Sequence, residues 1–390
     1  MRRWRIVWLV SAIAAGCSAA SSTPSGSSDT TKDAGQPTGA SDASVNQDGS
    51  VAPVADAGGD ACTGAALTTD PRNCGACNHD CRGGSCAAGV CQPFRVSQAD
   101  ASASSIAANT NGVFWVTKSG SQVLSCPPEG CPAAPEVLAG SLNNTVALVA
   151  VGADLAVLDD NDLQNVTTPA GASTIIYPRV GMVYSGSGIC ADDSPYVYFE
   201  MSSGNPFVTR IRVDGGDPLM GAYAQISNLS AIGCGAGHLL FEVNNGTDTI
   251  YACQNVADCG APAQILPTNN GGETHIAASA TQAFFTRRQS GTLNSCAISG
   301  CVSPTVLHTA PDLNGVAVDD THVYFTSGNG GIVARCDQAG CGGSYTELAQ
   351  NQINPHALVV TSDAVYWATD SLPSGGGDAG TMPAIWRVMK

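Results

Sequence analysis

The sequence is poor in charged residues, above all in positive ones. Charged residues make up 12% of the chain, and 16 Lys and Arg stand against 32 Asp and Glu, giving a formal net charge of −16. Because nucleic-acid binding depends on clustered positive charge, we expect no DNA or RNA partner. Gly and Pro are abundant, with 45 and 21 residues, which favours a turn-rich β protein.

The common motifs of catalysis are also missing from the chain. We find no G-x-S-x-G nucleophile elbow, no H-E-x-x-H zinc motif, no P-loop and no G-x-G-x-x-G dinucleotide loop. The sequence therefore gives no support to a serine hydrolase, a zinc protease or a nucleotide-binding enzyme.

A short apolar triplet recurs along the chain at a nearly fixed spacing. The last residues of successive triplets lie 40 to 44 residues apart. A period of this length, with about four short strands in each unit, is typical of β-propeller blades. The seven triplets therefore predict an all-β fold, a seven-bladed β-propeller. They are Val113–Trp115, Leu155–Val157, Val197–Phe199, Leu239–Phe241, Ala283–Phe285, Val323–Phe325 and Val365–Trp367.

The predicted ring needs a closing strand, because the chain as given stops after the third strand of the seventh blade, Ile385–Val388. A three-stranded last blade would leave a sheet edge open. Phe94–Gln98, just before the first blade, has the alternation of a half-buried strand. We therefore expect it to pair with Ile385–Val388 and to close a propeller that spans residues 94–390.

The last blade contains a familiar pattern. Val365-Tyr366-Trp367-Ala368-Thr369-Asp370 comes close to a YWTD motif, and Val323-Tyr324-Phe325-Thr326 repeats part of it. Residues 100–390 therefore resemble the broad YWTD and NHL-like propeller group, in which interaction with other molecules predominates. YWTD propellers have six blades, whereas the spacing here gives seven. The resemblance implies a binding role but no particular ligand.

Residues 1–16 have the composition of a secretory signal peptide. Three arginines precede an apolar run from Ile6 to Ala15 that is too short for a membrane helix. The run ends in Ala14-Ala15-Gly16-Cys17, which resembles the lipobox of bacterial lipoproteins; this implies that Cys17 is lipidated. Ordinary cleavage beside a stray cysteine is the alternative. Residues 17–59 lack periodic apolar positions, so we expect a disordered, lipidated linker.

Residues 60–93 are rich in cysteine. The core Asp70-Pro71-Arg72-Asn73-Cys74-Gly75-Ala76-Cys77 resembles the DPxNCGxC modules of secreted myxobacterial proteins. Cys74, Cys77, His79 and Cys81 have a spacing that zinc could use. In an exported chain the expected use is three disulfides, whose pairing the spacing does not determine. The six cysteines are Cys62, Cys74, Cys77, Cys81, Cys86 and Cys91.

The other cysteines lie in the predicted propeller. Four blades carry a pair across a short turn after the third strand, and we expect each pair to form a local crosslink. These pairs are Cys126–Cys131, Cys253–Cys259, Cys296–Cys301 and Cys336–Cys341. Cys190 and Cys234 remain; both lie in predicted inner strands, so we expect them to bridge blades three and four. With Cys17 lipidated, all 17 cysteines are used and no thiol is left for catalysis.

Two histidines are the best candidates for chemistry. His275 and His356 both begin predicted inner strands, which ring one mouth of a propeller channel. This resembles the streptogramin-lyase-like propellers, where channel histidines and a carboxylate serve an elimination reaction with a metal. The resemblance implies a catalytic set of His275, His356 and Glu273. The alternative is that both histidines are structural or solvated loop residues.

An acidic turn in the second blade is a candidate calcium site. Asp159, Asp160 and Asp162 could supply oxygen ligands, but the turn lacks the Gly and Glu of an EF-hand loop. Asp and Asn clusters are also common turn formers. Apart from this calcium ion, we expect no cofactor.

Together these features predict an exported lipoprotein of the cell envelope, held at the outer membrane by its lipid anchor alone. We expect the propeller to bind or scaffold an envelope or extracellular protein or a glycan. A propeller lyase or lactonase that uses the channel histidines is the first alternative. A purely structural envelope protein is the second.

Overall fold

The computed structural model describes most of the chain from Cys62 onwards. The described residues are 62, 64–98, 103–117, 121–143, 145, 147–178, 188–191, 195–201, 207–216, 229–244, 248–253, 259, 262–267, 274–371 and 382–390. The predicted signal peptide, Cys17, the linker and Glu273 lie outside them. The described residues belong to one compact unit. No helix in the described part is long and apolar enough to span a bilayer.

The cysteine-rich module holds little regular structure. It contains one helical turn, α1 (Ala66–Thr69), and a hairpin of β1 (Cys86–Ala87) and β2 (Val90–Cys91). Its shape depends on crosslinks, because so short a segment buries little apolar surface. The structure joins Cys62 to Cys77, Cys74 to Cys86 and Cys81 to Cys91.

The Asp-Pro-x-Asn core of this module is a side-chain-stabilised turn. Asp70 Oδ1 accepts the backbone N–H of Arg72 at 3.0 Å, and its Oδ2 accepts the amide of Asn73 at 2.7 Å. Asn73 in turn accepts the backbone N–H of Asn78 at 3.0 Å. Asp and Asn are favoured here because their short side chains reach backbone donors nearby.

The rest of the described chain forms seven antiparallel sheets, which are the blades of the propeller. In each blade the strands follow chain order from the channel outwards, and the last blade borrows its outer strand, β3 (Phe94–Gln98), from the N-terminal side. The prediction of a seven-bladed propeller is confirmed. Blade 1 contains β4 (Ala103–Asn109), β5 (Gly112–Thr117), β6 (Gln122–Cys126) and β7 (Glu136–Gly140). Blade 2 contains β8 (Ala147–Val151), β9 (Asp154–Leu158), β10 (Asp162–Val166) and β11 (Ser173–Pro178).

The described part of blade 3 has three strands, β12 (Ile189–Ala191), β13 (Tyr196–Met201) and β14 (Phe207–Arg212). Blade 4 contains β15 (Leu229–Gly235), β16 (His238–Asn244), β17 (Asp248–Cys253) and β18 (Ala263–Pro267). Blade 5 contains β19 (Thr274–Ala278), β20 (Gln282–Arg287), β21 (Thr292–Ala297) and β22 (Thr305–Thr309). Blade 6 contains β23 (Leu313–Val318), β24 (His322–Ser327), β25 (Ile332–Asp337) and β26 (Thr346–Ala349). Blade 7 contains β27 (His356–Val360), β28 (Ala364–Thr369) and β29 (Ala384–Met389), with β3 outermost.

The recurring triplets form the core between neighbouring blades. They lie in the second strand of each blade, where Trp115, Phe285 and Trp367 are fully buried. Trp115 of blade 1 shares one apolar cluster with Trp367 of blade 7, and Phe284 of blade 5 shares another with Phe325 of blade 6. The large side chains recur because each blade buries one apolar face against the next.

The N-terminal strand closes the ring as predicted. β3 pairs antiparallel with β29, so that Gln98 lies opposite Ala384 and Phe94 opposite Arg387. Val96 is 2% exposed, as its place in the alternation requires. This pairing gives blade 7 its fourth, outer strand.

Crosslinks within the propeller follow chain spacing. Four local disulfides join Cys126 to Cys131, Cys253 to Cys259, Cys296 to Cys301 and Cys336 to Cys341. Cys190 and Cys234 form a fifth, which joins the inner strands of blades 3 and 4.

Candidate functional site

The inner strands of the seven blades surround a central channel with a cavity volume of about 2370 Å³. Its wall consists mainly of small or aliphatic side chains, such as Ala107, Ala150, Ala277 and Val316. Each sheet ends on its inner strand, so in the described part no further strand pairs with that edge. The channel is therefore wide, lined largely by small side chains and bordered by backbone edges.

Glycines let neighbouring inner strands approach closely. A Cβ on Gly233 of blade 4 would lie less than 3.0 Å from the carbonyl oxygen of Ile276 in blade 5. Gly315 of blade 6 is similarly tight, since a Cβ there would lie 2.9 Å from Cβ of Leu358 in blade 7. Any side chain at these positions would push two blades apart.

The structure does not bring His275 and His356 to one site. His275 is exposed and borders the channel, whereas His356 is not among the residues that line it. His356 Nδ1 lies 2.8 Å from the carbonyl oxygen of Asn354, and its Nε2 lies 2.9 Å from that of Ala103 in blade 1. Both ring nitrogens thus face carbonyl acceptors, which leaves neither free to coordinate a metal.

A bulge at the start of β27 explains the position of His356. The register shifts between His356 and Val359, and Ala357 adopts a φ of 49°. Such a bulge turns the side chain away from the direction that regular alternation predicts. Ala357 borders the channel instead. The third candidate, Glu273, lies outside the described residues.

The acidic turn of blade 2 binds its own backbone. Asp159 is 1% exposed, and its Oδ1 accepts the N–H groups of Asn161 and Asp162 at 2.8 and 2.7 Å. Its Oδ2 accepts the amide of Gln164 at 3.0 Å. Asp160 and Asp162 belong to the same turn. This carboxylate therefore serves as a turn acceptor, and the geometry offers little support for a calcium ion.

No other group of acidic or histidine side chains in the described ranges has the spacing of a metal site. The one group of three potential ligands there is Cys74, Cys81 and Cys91. Each of these sulfurs is in a disulfide. The zinc alternative therefore lacks thiolate ligands in this structure.

One channel mouth, where inner strands turn into second strands, carries a set of charges that the sequence analysis missed. Lys390 Nζ lies 2.8 Å from Asp319 Oδ2, which also accepts the hydroxyl of Tyr324 at 2.6 Å. Burial opposes the charge on Asp319, but hydrogen bonds from Lys390, Tyr324 and the backbone outweigh it and hold the pKa of Asp319 well below its usual range. Burial and the bond to Asp319 raise the pKa of Tyr324.

The cysteine-rich module reaches the same mouth. Arg82 of the module lies 2.8 Å from Asp363 in blade 7, and both residues border the channel. The contact between Arg82 and Asp363 could not be predicted from the sequence, because the two residues are far apart along the chain and both are ordinary charged turn residues. The two ion pairs make this mouth charged.

Comparison with known proteins identifies the fold only. No protein-family profile matches the chain, and no curated protein does. Virginiamycin B lyase from Staphylococcus aureus aligns at 14% identity with a TM-score of 0.56, over 76% of this chain and 98% of the lyase. The structure of YCF48 bound to D1 peptide aligns at 11% identity with a TM-score of 0.55, over 77% of this chain and 96% of the YCF48 chain. At such low identities, the similarity extends to the β-propeller architecture and not to a shared site.

Proposed function

We propose that this protein is exported, anchored to the outer membrane through a lipidated Cys17, and binds a protein partner with its propeller. The signal-like residues 1–16 and the lipobox-like sequence that ends at Cys17 support the anchor. Residues 17–59 would then act as an acidic, extended linker that leaves the propeller free of the membrane. The strong negative charge keeps nucleic acid out of the list of partners.

The observation that carries the binding proposal is the nature of the channel. Its cavity of about 2370 Å³ is walled by small aliphatic side chains and by the unpaired edges of inner strands. Strand edges can hold an extended peptide through backbone hydrogen bonds, and small side chains let it approach closely. Such a surface is suited to an extended polypeptide segment.

A protein fits this channel better than a glycan does. Among the described residues that border the channel, Tyr366 is the one with a Phe, Tyr or Trp ring. A sugar-binding groove would be expected to present several aromatic surfaces beside its polar groups. The fold shared with YCF48, whose structure contains the D1 peptide, also supports a polypeptide ligand.

The lyase or lactonase alternative has weaker support. It needs His275 and His356 to act on one substrate, yet both nitrogens of His356 face carbonyl oxygens. Metal analysis of the purified protein tests this alternative, since a stoichiometric metal ion would favour it. A purely structural role would leave the channel without a ligand.

Site-specific photo-cross-linking in intact cells tests the binding proposal. A photoreactive residue at Ser104 probes one channel mouth and one at Thr281 probes the other; both side chains are exposed. The matched control is Val302, which is 100% exposed on the outside of blade 5. We expect a discrete cross-linked protein from at least one mouth and none from Val302. Cross-links from Val302 alone, or from no position, would contradict the proposal.

A further inference from the structure

Arg387 is a buried cation with most of its donors unfilled. It lies in β29 with 0% exposure, and its Nη2 donates to the carbonyl oxygen of Arg82. Within the described part of the chain, Nε and Nη1 have no hydrogen-bond partner. A guanidinium stays charged at neutral pH and carries five N–H donors. Burying such a charge without a counter-ion carries a large desolvation free energy, so we expect a further ligand at this group.

Neither nearby carboxylate neutralises this charge in the structure. Besides the phenol of Tyr366, the acidic groups that act on Arg387 are the carboxylates of Glu129 and Asp363. Asp363 is ion-paired with Arg82 at 2.8 Å, and Glu129 is an exposed residue in the crosslinked hairpin of blade 1. Burial lowers the pKa of Arg387 and outweighs the opposing effects of these acidic groups.

The residues around Arg387 come from four parts of the molecule. The guanidinium lies 5.3 Å from the ring centre of Phe94 in the closing strand β3. Gly83 of the module and Gly130 of the blade 1 hairpin press on the same ring, since a Cβ on either would lie 3.3 or 2.8 Å from a ring carbon. The joint therefore connects the module, the closing strand, blade 1 and blade 7.

A small cavity lies beside this joint. It has a volume of about 510 Å³, and its lining includes Arg82, Gly83, Gly84 and Glu129. Arg82 is the residue whose carbonyl oxygen accepts the bond from Arg387. The lining also holds Arg72 and Asp80, so positive and negative side chains are balanced around this cavity.

We propose that a small monovalent anion of halide size binds Arg387 at this joint. The anion accepts the unfilled N–H donors and neutralises the single positive charge, and its size follows from the complete burial of the guanidinium. It stabilises the contact between the module and the closed ring, because both contribute to its surroundings. This site is independent of the binding role proposed for the channel.

Bromide tests the site in crystals of the full-length mature protein. We expect an anomalous peak within about 3.5 Å of Nε or Nη1 of Arg387. A water molecule in that place, or the Glu129 carboxylate bonded to the guanidinium, would overturn the proposal. This measurement needs no variant, so it decides the question even if substitutions at Arg387 do not fold.

Thermal unfolding provides the matched test in solution. At constant ionic strength, replacing sodium gluconate by sodium bromide should raise Tm saturably, by about 3 °C at a hundredfold excess over Kd. Arg387→Met should lose this response, whereas Arg212→Met should keep it, because Arg212 lies in an exposed ion pair with Asp214. Glu129→Gln should keep it too. An equal bromide response in Arg387→Met would overturn the proposal.

Discussion

Lys390 donates to Asp319 across the junction of blades 7 and 6, with 2.8 Å between Nζ and Oδ2. Both side chains are mostly buried, at 15% and 22% exposure. The backbone N–H of Lys390 also donates to the backbone carbonyl oxygen of Asp363 at 2.9 Å, so the residue after β29 is held by two hydrogen bonds. This contact fastens the final strand of the ring to its neighbour.

We predict that Lys390→Met lowers the free energy of unfolding by about 1–2 kcal/mol, because a charge-assisted bond is lost and a carboxylate is left partly buried. Arg212→Met is the control, since its ion pair with Asp214 is exposed at 42% and 57% and should be worth less than about 0.5 kcal/mol. Urea unfolding of both variants measures the difference. An equal loss of unfolding free energy in both variants would show that the ion pair at Asp319 stabilises the fold no more than the exposed pair does.

Asp319 should also make the free energy of unfolding depend on pH in the acidic range. Its pKa is lowered in the folded state, so its contribution is present above the unfolded value near pH 4 and is lost as pH falls towards the folded value. We expect Asp319→Asn to reduce stability at pH 7 and to flatten the decline below about pH 4. Unfolding curves across this range, compared with wild type, measure it. An unchanged acid slope in the variant would contradict this assignment.

His308 should make the stability of the fold depend on pH near neutrality. Its ring lies 4.9 Å from that of Phe325 and 4.6 Å from that of Tyr345, and burial lowers its pKa. The unfolded chain therefore takes up the proton more readily, so stability should fall as pH drops below about 6.5. His308→Phe keeps a ring in place and should flatten the curve between about pH 7 and pH 5. A variant with the wild-type pH profile would argue against this role.

Gly233 should be intolerant of any side chain. A Cβ there meets the carbonyl oxygen of Ile276 in the next blade, so Gly233→Ala should cost about 1–3 kcal/mol by forcing the inner strands apart. Gly140→Ala is the control, because the nearest atom to its Cβ would be 3.8 Å away in an ordinary contact. We expect that change to be within about 0.5 kcal/mol of neutral. Denaturant midpoints of the two variants give the comparison.

The repeating features of the fold were predictable from sequence, and the single contacts were not. The triplets ending at Trp115 and Trp367 recur because every blade must bury the same face, so spacing alone located them. The closing strand was predictable because an open edge and a spare alternating segment match each other. Repetition turns a weak local signal into a strong one.

The residues of the candidate site were harder to predict, because their positions depart from the repeating pattern. The bulge beside Ala357 turned His356 away from the channel, and no residue of the segment marks such a bulge in advance. The pairing of Arg82 with Asp363 arises from how the module packs on the ring, which a local pattern cannot encode. The sequence left two alternatives for Asp159, a turn acceptor or a calcium ligand, and its hydrogen bonds to the backbone support the first.

The affinity of the purified partner for channel variants tests the central claim most directly. The partner is the protein identified by cross-linking, and binding is measured by titration calorimetry. We predict that Ser104→Trp or Thr281→Trp weakens binding at least about tenfold, equivalent to about 1.4 kcal/mol, because each places a large side chain at a channel mouth. Val302→Trp, on the outside of blade 5, should leave the Kd within about twofold. Loss of binding in Val302→Trp with both mouth variants unaffected would contradict a role for the channel.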